Sequence, residues 1–207
     1  MLYKTTTRLF KGLYQYKIVL VCPGASWFRG SMEDALEHLN TIDLTDSKRS
    51  TRTSFIKTQE QLDYAFKLQG LLSKFKDIDI RVESPWISVY SNKKTEIDQL
   101  ANLDTSLVKY VCRPSSNTAL SADSVIMPKM NYEFRVTLGK TTQENPAFIE
   151  WAETNKKVKL TKSCIKDLTK SRSWGGTHFY ITGDNNLLMA KMHLGGSISK
   201  VERIIKA

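Results

Sequence analysis

The chain is poor in the residues that build metal centres and disulfide frameworks. Its 207 residues include three cysteines and three histidines. Cys22, Cys112 and Cys164 stand far apart, and none has the CxxC or Cys–His spacing of a zinc site. Few cysteines in an odd number are typical of reduced thiols in an intracellular protein. We therefore expect no metal, no disulfide and no cofactor.

Long apolar runs are missing too. No run approaches the roughly 20 residues that a membrane-spanning helix needs. The N-terminal segment 1–8 lacks the apolar core of a signal peptide. These absences predict a protein without a membrane partner that works in the cytoplasm, either of its own cell or of a host cell.

The common catalytic and nucleotide-binding signatures are absent as well. The sequence contains no GxxxxGK[ST], GxGxxG, HExxH or GxSxG motif. It also lacks the basic-Gly-aromatic signature of the RNA recognition motif. We therefore assign no catalytic residue and favour a binding protein over an enzyme.

Positive charge is what the chain has in excess, with 31 lysines and arginines against 21 acids and a net charge of +10. Such a charge favours polyanionic partners. Much of it is concentrated in the segment 156–176, where Asp167 is the only acid. The predicted nucleic-acid contacts there are Lys156, Lys157, Lys159, Lys162, Lys166, Lys170, Arg172 and Trp174.

These residue types suit a phosphate backbone and its bases. Lysines neutralise phosphates as point charges, which favours sequence-tolerant contact over base reading. Trp174 could stack on a base, and Gly175-Gly176 would give its ring a mobile hinge. The alternative is a solvated basic surface with Trp174 folded onto the core.

A second basic element lies in the loop 46–57. Lys48, Arg49 and Arg52 stand there without any apolar period. The loop is either a disordered linker or a segment that orders on a phosphate backbone.

The order of predicted elements indicates an α+β protein with two similar units. From the strand Ile18–Cys22 onward the order is β, helix, β, β, helix, β, and it recurs in the last third of the chain. This is the ferredoxin-like, or split βαβ, order. We predict two tandem ferredoxin-like units, 1–113 and 130–207, joined by a linker at 114–129. One mixed α+β domain with a larger sheet is the alternative.

Two features are predicted outside this repeated order. The segment 3–22 is expected to form an N-terminal hairpin around the turn Lys11-Gly12. The basic segment 156–176 is expected to be an insertion between the second and third strands of the second unit. An insertion that the fold does not require is a reasonable place for function.

Aromatic residues recur on the predicted strands. They are Tyr14, Tyr16, Tyr90 and Tyr110 in the first unit, and Tyr132, Phe134 and Tyr180 in the second. Ferredoxin-like nucleic-acid modules present such rings on the exposed sheet face. In an ordinary sheet they are core residues or cross-strand pairs, and both interpretations stay open.

Three function classes fit these patterns. The first is a non-catalytic protein that binds single-stranded DNA or RNA and comes from a virus or phage. The second is an adaptor, inhibitor or complex subunit that binds an acidic protein through the same lysines and through Trp27, Trp86 or Trp151. The third is a metal-independent RNA endonuclease in which His178 transfers a proton.

The third class also follows from a resemblance. Tandem ferredoxin-like units, a basic surface and Gly195-Gly196-Ser197 near the C-terminus are similar in architecture to the CRISPR RNA-processing endonucleases, which carry a glycine-rich loop late in the chain. The resemblance includes no motif from which a catalytic residue can be assigned in this sequence. The glycine pair is also explained as a helix stop.

Overall fold

The chain divides into two compact α+β units. The computed structural model describes residues 2–44, 56–115 and 120–206. The units are Met1–Leu120 and Ser121–Ala207. Their described residues form two five-stranded sheets and six α-helices, so the predicted α+β class is confirmed.

The first unit has a sheet in the order β1-β5-β2-β4-β3. Its elements are β1 Tyr3–Thr6, β2 Tyr16–Val21, α1 Met32–Asn40, α2 Gln59–Leu72, β3 Asp79–Glu83, β4 Trp86–Ser91, α3 Lys94–Leu103 and β5 Val108–Pro114. Neighbouring strands from β2 to β5 pair antiparallel, and β1 is added parallel to β5. From β2 to β5 the chain follows the ferredoxin-like order, with α1 and α2 together filling the first helical position.

Local signals explain why these elements begin where they do. Ser31 Oγ accepts a hydrogen bond from the Asp34 amide, and Asp34 Oδ2 accepts one from the Ser31 amide, which forms a capping box at the start of α1. Side chains alternate across β2, with Ile18 and Leu20 in the core under the helices. Lys17 therefore lies on the opposite face of the sheet.

The predicted hairpin over 3–22 is wrong. β1 pairs with β5, with Tyr3 opposite Val111, and has no pairing with β2. β2 already has β4 and β5 as its two neighbours, so it offers no free edge to β1. The turn at Lys11-Gly12 does form, with positive φ at both residues, but it closes only an isolated bridge between Phe10 and Tyr14.

The second unit repeats the sheet order of the first, as β6-β10-β7-β9-β8. Its elements are β6 Ser124–Ile126, β7 Phe134–Leu138, α4 Pro146–Thr154, β8 Val158–Leu160, α5 Lys162–Leu168, β9 His178–Ile181, α6 Asp184–Leu194 and β10 Ile198–Ile205. Here too an extra strand, β6, runs parallel to the last strand. Because β6 lies inside 114–129, the segment expected to be a linker contains part of the second sheet.

Phe148 is the centre of the second core. It is 1% exposed on α4. Its ring centroid lies 5.2 Å from that of Phe179 on β9 and 5.7 Å from that of Trp151. Burial of such aromatic pairs is a main source of stability for a unit of this size.

The helices of both units are short. Within the described ranges, none combines the length and the apolar character that crossing a lipid bilayer requires.

Candidate nucleic-acid interface

The basic segment 156–176 lies at one edge of the second sheet. It spans β8, α5 and the loop that leads into β9, and β8 is the last strand in the sheet order. All eight predicted contacts are exposed to solvent: Lys156, Lys157, Lys159, Lys162, Lys166, Lys170, Arg172 and Trp174. The segment is therefore accessible to a ligand.

These lysines do not form a single row. Val158 and Leu160 of β8 pack on the core, so the alternation of a strand points Lys159 to the opposite face of the sheet. Helix α5 lies on the core side, where Cys164 and Leu168 are buried. The lysines of α5 and Lys159 therefore lie on opposite sides of the sheet.

Asp167 offsets part of the charge. One of its carboxylate oxygens lies 3.7 Å from Lys170 Nζ. The other accepts a hydrogen bond of 2.9 Å from Thr177 Oγ1. Lys170 is therefore a weaker candidate for phosphate contact than Lys162 and Lys166, which form no ion pair with another described residue.

Trp174 has an unusual exposure for a tryptophan, at 86%. The backbone beside it is nevertheless ordered. Thr141 and Ser173 exchange two backbone hydrogen bonds of 3.0 and 3.1 Å, and the Gly176 amide donates to Leu138 O at 2.8 Å. We call residues 138–141 and 173–177 the Trp174 ribbon. Both amides of the glycine pair are hydrogen-bonded within the ribbon, and a mobile hinge at Gly175-Gly176 stays a prediction.

Gly175 explains how the two sides of the ribbon approach so closely. Its φ is +77°, and a Cβ atom there would lie 2.2 Å from Gly139 O. Only glycine permits this backbone contact. Gly176 also has a positive φ of +87°, but a Cβ there would meet nothing within 4 Å.

This difference predicts contrasting effects of two alanine substitutions. Gly175→Ala and Gly176→Ala should each cost about 1–2 kcal/mol for the left-handed backbone. Gly175→Ala should in addition push the ribbon apart, because its Cβ overlaps Gly139. Amide hydrogen exchange by NMR checks this: we expect Ser173 and Gly176 to lose protection in Gly175→Ala alone. Equal protection in both variants would contradict the role of Gly175.

Lys140 is a site residue that the sequence interpretation missed. Its Nζ lies 5.4 Å from the centre of the Trp174 ring, within range of a cation–π contact. The antiparallel pairing of β7 with β9, in which Thr137 faces His178, continues into the ribbon and places Lys140 there. A correct prediction of that pairing would have found it.

His178 has hydrogen-bond contacts at both ring nitrogens. Arg135 Nη2 lies 3.2 Å from Nδ1, and Tyr180 Oη lies 3.1 Å from Nε2. A guanidinium only donates, so Nδ1 accepts, and the proton of a neutral ring lies on Nε2, facing Tyr180. A proton-transfer role for His178 would require one of these contacts to open, and RNA cleavage stays a prediction.

The described residues hold no group of three or more His, Cys, Asp and Glu side chains that could bind a metal ion. Cys22, Cys112 and Cys164 are buried free thiols. Burial raises the pKa of both Cys22 and Cys164 to about 12, so these two thiols stay protonated at neutral pH.

The remaining predicted aromatic residues are distributed over core and surface. Phe134 belongs to the core of the second unit. Tyr90 and Tyr180 are buried. Of the three tryptophans considered for protein binding, Trp27 and Trp151 are half-buried, and Trp86 is exposed.

The second basic element is the loop 46–57. Lys48, Arg49 and Arg52 lie outside the described residues.

Comparison of the chain with protein-family models, with curated proteins and with solved structures finds no match.

Proposed function

We propose that this protein is a non-catalytic nucleic-acid-binding protein that contacts the backbone of single-stranded DNA or RNA with little sequence preference. The observation that carries the proposal is Trp174, whose ring is 86% exposed on a hydrogen-bonded ribbon with Lys140 beside it. An exposed indole is removed from water only when a partner covers it. A nucleotide suits this site, because its base can stack on the indole while its phosphate binds the lysine.

The preference for single strands follows from stacking. A base that is already stacked in a duplex cannot offer its face to a side chain, whereas an unpaired base can. The surrounding cations support the same ligand. Lys162, Lys166 and Arg172 are exposed, and none of them forms an ion pair with another described residue.

We place the protein in the cytoplasm of its own cell or of a host cell. The three free thiols support this proposal, because the cysteines of proteins in oxidising compartments usually form disulfides, whereas those of cytoplasmic proteins usually stay reduced.

The salt dependence of binding tests the proposed function. The affinity for a labelled single strand of about 15 nucleotides, which exceeds the site size of many single-strand modules, is measured by fluorescence anisotropy at increasing salt concentrations. Each neutralised phosphate contributes about −0.7 to the slope of log K against log salt, so four contacts predict a slope of about −3. A duplex of the same sequence is the control and should bind more weakly.

Two results would reject the proposal. One is a flat salt dependence, and the other is no binding of the single strand at about 50 mM salt.

A second candidate function is supported by the surface of α6. Leu188 is 58% exposed and Met192 is 71% exposed, and they lie one helical turn apart. Met192 and Lys140 line the same cleft, so this apolar surface adjoins the ribbon. Exposed methionine and tryptophan beside lysine fit an acidic protein partner. Under this alternative, Leu188→Gln would weaken protein binding, and under the first it would leave nucleic-acid affinity unchanged.

A further inference from the structure

One face of the first sheet combines lysines with aromatic rings. It is the face opposite the helices, because Ile18 and Leu20 of β2 point into the core, whereas Lys17, directly before Ile18, points to the other side of the sheet. We call it the lysine–aromatic face. Its members are Lys4 on β1, Lys109 and Tyr110 on β5, Lys17 on β2, and Trp86 and Tyr90 on β4. Lys109 and Tyr110 share this face although they are consecutive, because the β2–β5 register shifts there: Val19 pairs with Tyr110 and Leu20 pairs with Val108.

Strand register brings two lysines to one ring. Lys4 of β1 and Lys17 of β2 both pair with Cys112, which lies two residues after Tyr110 on the strand between them. Lys4 Nζ lies 4.1 Å from the centre of the Tyr110 ring, and Lys17 Nζ lies 5.6 Å from it. Both distances are within the range of cation–π contacts.

Lys17 also contacts the ring of Tyr90, whose centre lies 5.3 Å from Nζ. Burial lowers the pKa of Lys17, but hydrogen bonds and charge interactions with Tyr110 and Tyr90 together outweigh it, so the pKa is raised overall. The ammonium group is therefore charged at neutral pH. Tyr90 itself is buried, and its ring centre lies 5.8 Å from that of Phe10 and 6.2 Å from that of Tyr14, so it supports Lys17 and is not open to a base.

The pattern of a ring with a lysine occurs a second time. Lys109 Nζ lies 3.4 Å from the centre of the Trp86 ring, which remains 38% exposed. Tyr110 is half-buried. The face thus has two partly exposed rings, each with a lysine ammonium group over it.

The acids of this face are already paired. Asp79 binds Lys11 at 2.6 Å, and Glu83 forms an ion pair with Arg81. Lys4, Lys17 and Lys109 make no ion pair with any residue in the described ranges. Their charges are uncompensated, so the face is complementary to an anion that also presents flat rings.

We propose that the lysine–aromatic face is a second contact surface for single-stranded nucleic acid, where Lys4, Lys17 and Lys109 bind phosphates and Tyr110 and Trp86 stack on bases. This inference rests on the proposed function and adds a surface that does not involve Trp174. A single strand alternates phosphates with bases, and the face alternates cations with rings, so the two are complementary. Stacking of bases on a sheet face does not depend on their sequence. An acidic protein surface would also engage the lysines, but only a nucleic-acid strand alternates phosphates and flat bases along its whole length.

Paired charge-removal variants of the full chain test this surface. Lys4→Gln/Lys17→Gln removes two cations from the face, and Lys67→Gln/Lys74→Gln removes two exposed cations on and beside α2, on the helical side. If both face lysines contact phosphates, the slope of log K against log salt should become less steep by about 1.4. The α2 control should keep the slope of the unmodified protein.

Two further variants keep the test decisive. Tyr110→Leu keeps the charge and removes the ring, so it should lower affinity by about 5-fold or more without changing the slope. If circular dichroism or thermal unfolding shows that Lys17→Gln disturbs folding, the double variant Lys4→Gln/Lys109→Gln is used in place of Lys4→Gln/Lys17→Gln. Lys4 and Lys109 are both exposed, and the same change in slope is expected.

The outcomes separate this inference from the proposed function. If the face variants behave like the α2 control while Trp174→Ala weakens binding, the inference is wrong and the proposed function stands. If the unmodified protein does not bind single strands, both are wrong. If the face variants lose binding to polyglutamate and retain full affinity for single strands, the face is a site for acidic protein and the inference is again wrong.

Discussion

Replacing Trp174 by alanine is expected to weaken the binding of a short single strand by about 5- to 150-fold, which corresponds to the loss of about 1–3 kcal/mol of stacking free energy. The ring is almost fully exposed, so it contributes little to folding and the loss should fall on binding alone. Titration of a labelled oligonucleotide at constant salt measures the change.

Two variants serve as controls for this result. Trp174→Phe keeps an aromatic face and should recover part of the affinity. Met192→Ala removes another highly exposed apolar side chain near the ribbon and should change affinity by less than about 2-fold, since surface substitutions usually have small effects. Equal affinities of Trp174→Ala and the unmodified protein would remove Trp174 from the interface.

Replacing Phe148 by alanine is expected to lower the free energy of unfolding of the second unit by about 3–5 kcal/mol. The side chain is 1% exposed and contacts Phe179, Trp151 and His193, so its removal leaves a cavity between α4, α6 and the sheet. A loss of this size is a large fraction of the stability of a small unit.

Urea denaturation followed by tryptophan fluorescence measures this loss, because Trp151 lies beside Phe148. Phe148→Leu retains most of the volume and should lose considerably less. Leu188→Ala on the exposed side of α6 should lose almost nothing. A loss below about 1 kcal/mol in Phe148→Ala would show that this core is packed differently.

Local patterns in the sequence were enough to predict most of the helices and central strands. The apolar run at Ile18–Leu20 and the cap at Ser31 reflect interactions between residues that are close in the chain. The outer strands β1 and β6 are different. β6 has only three residues and pairs with β10 at the far end of the unit, and no short-range pattern specifies such a distant partner.

The candidate sites also combine features that depend on nearby residues with features that depend on distant ones. Exposure of the lysines in 156–176 follows from their charge and was predicted. Their distribution over two faces depends on the register of β8 and on the position of α5. The backbone path at Trp174 depends on a close contact between Gly175 and Gly139, residues that are distant in the chain. Lys17, by contrast, could be placed from the alternation of β2 alone.

The most direct test of nucleic-acid binding at the Trp174 ribbon is tryptophan fluorescence during titration with a single strand of about 10 nucleotides. Stacking of a base on Trp174 should quench part of the emission of the unmodified protein in a saturable way. Trp174→Phe should still bind the strand, measured by anisotropy, and should lack that part of the quenching. Identical quenching in the two proteins, or no binding at low salt, would contradict base stacking at Trp174.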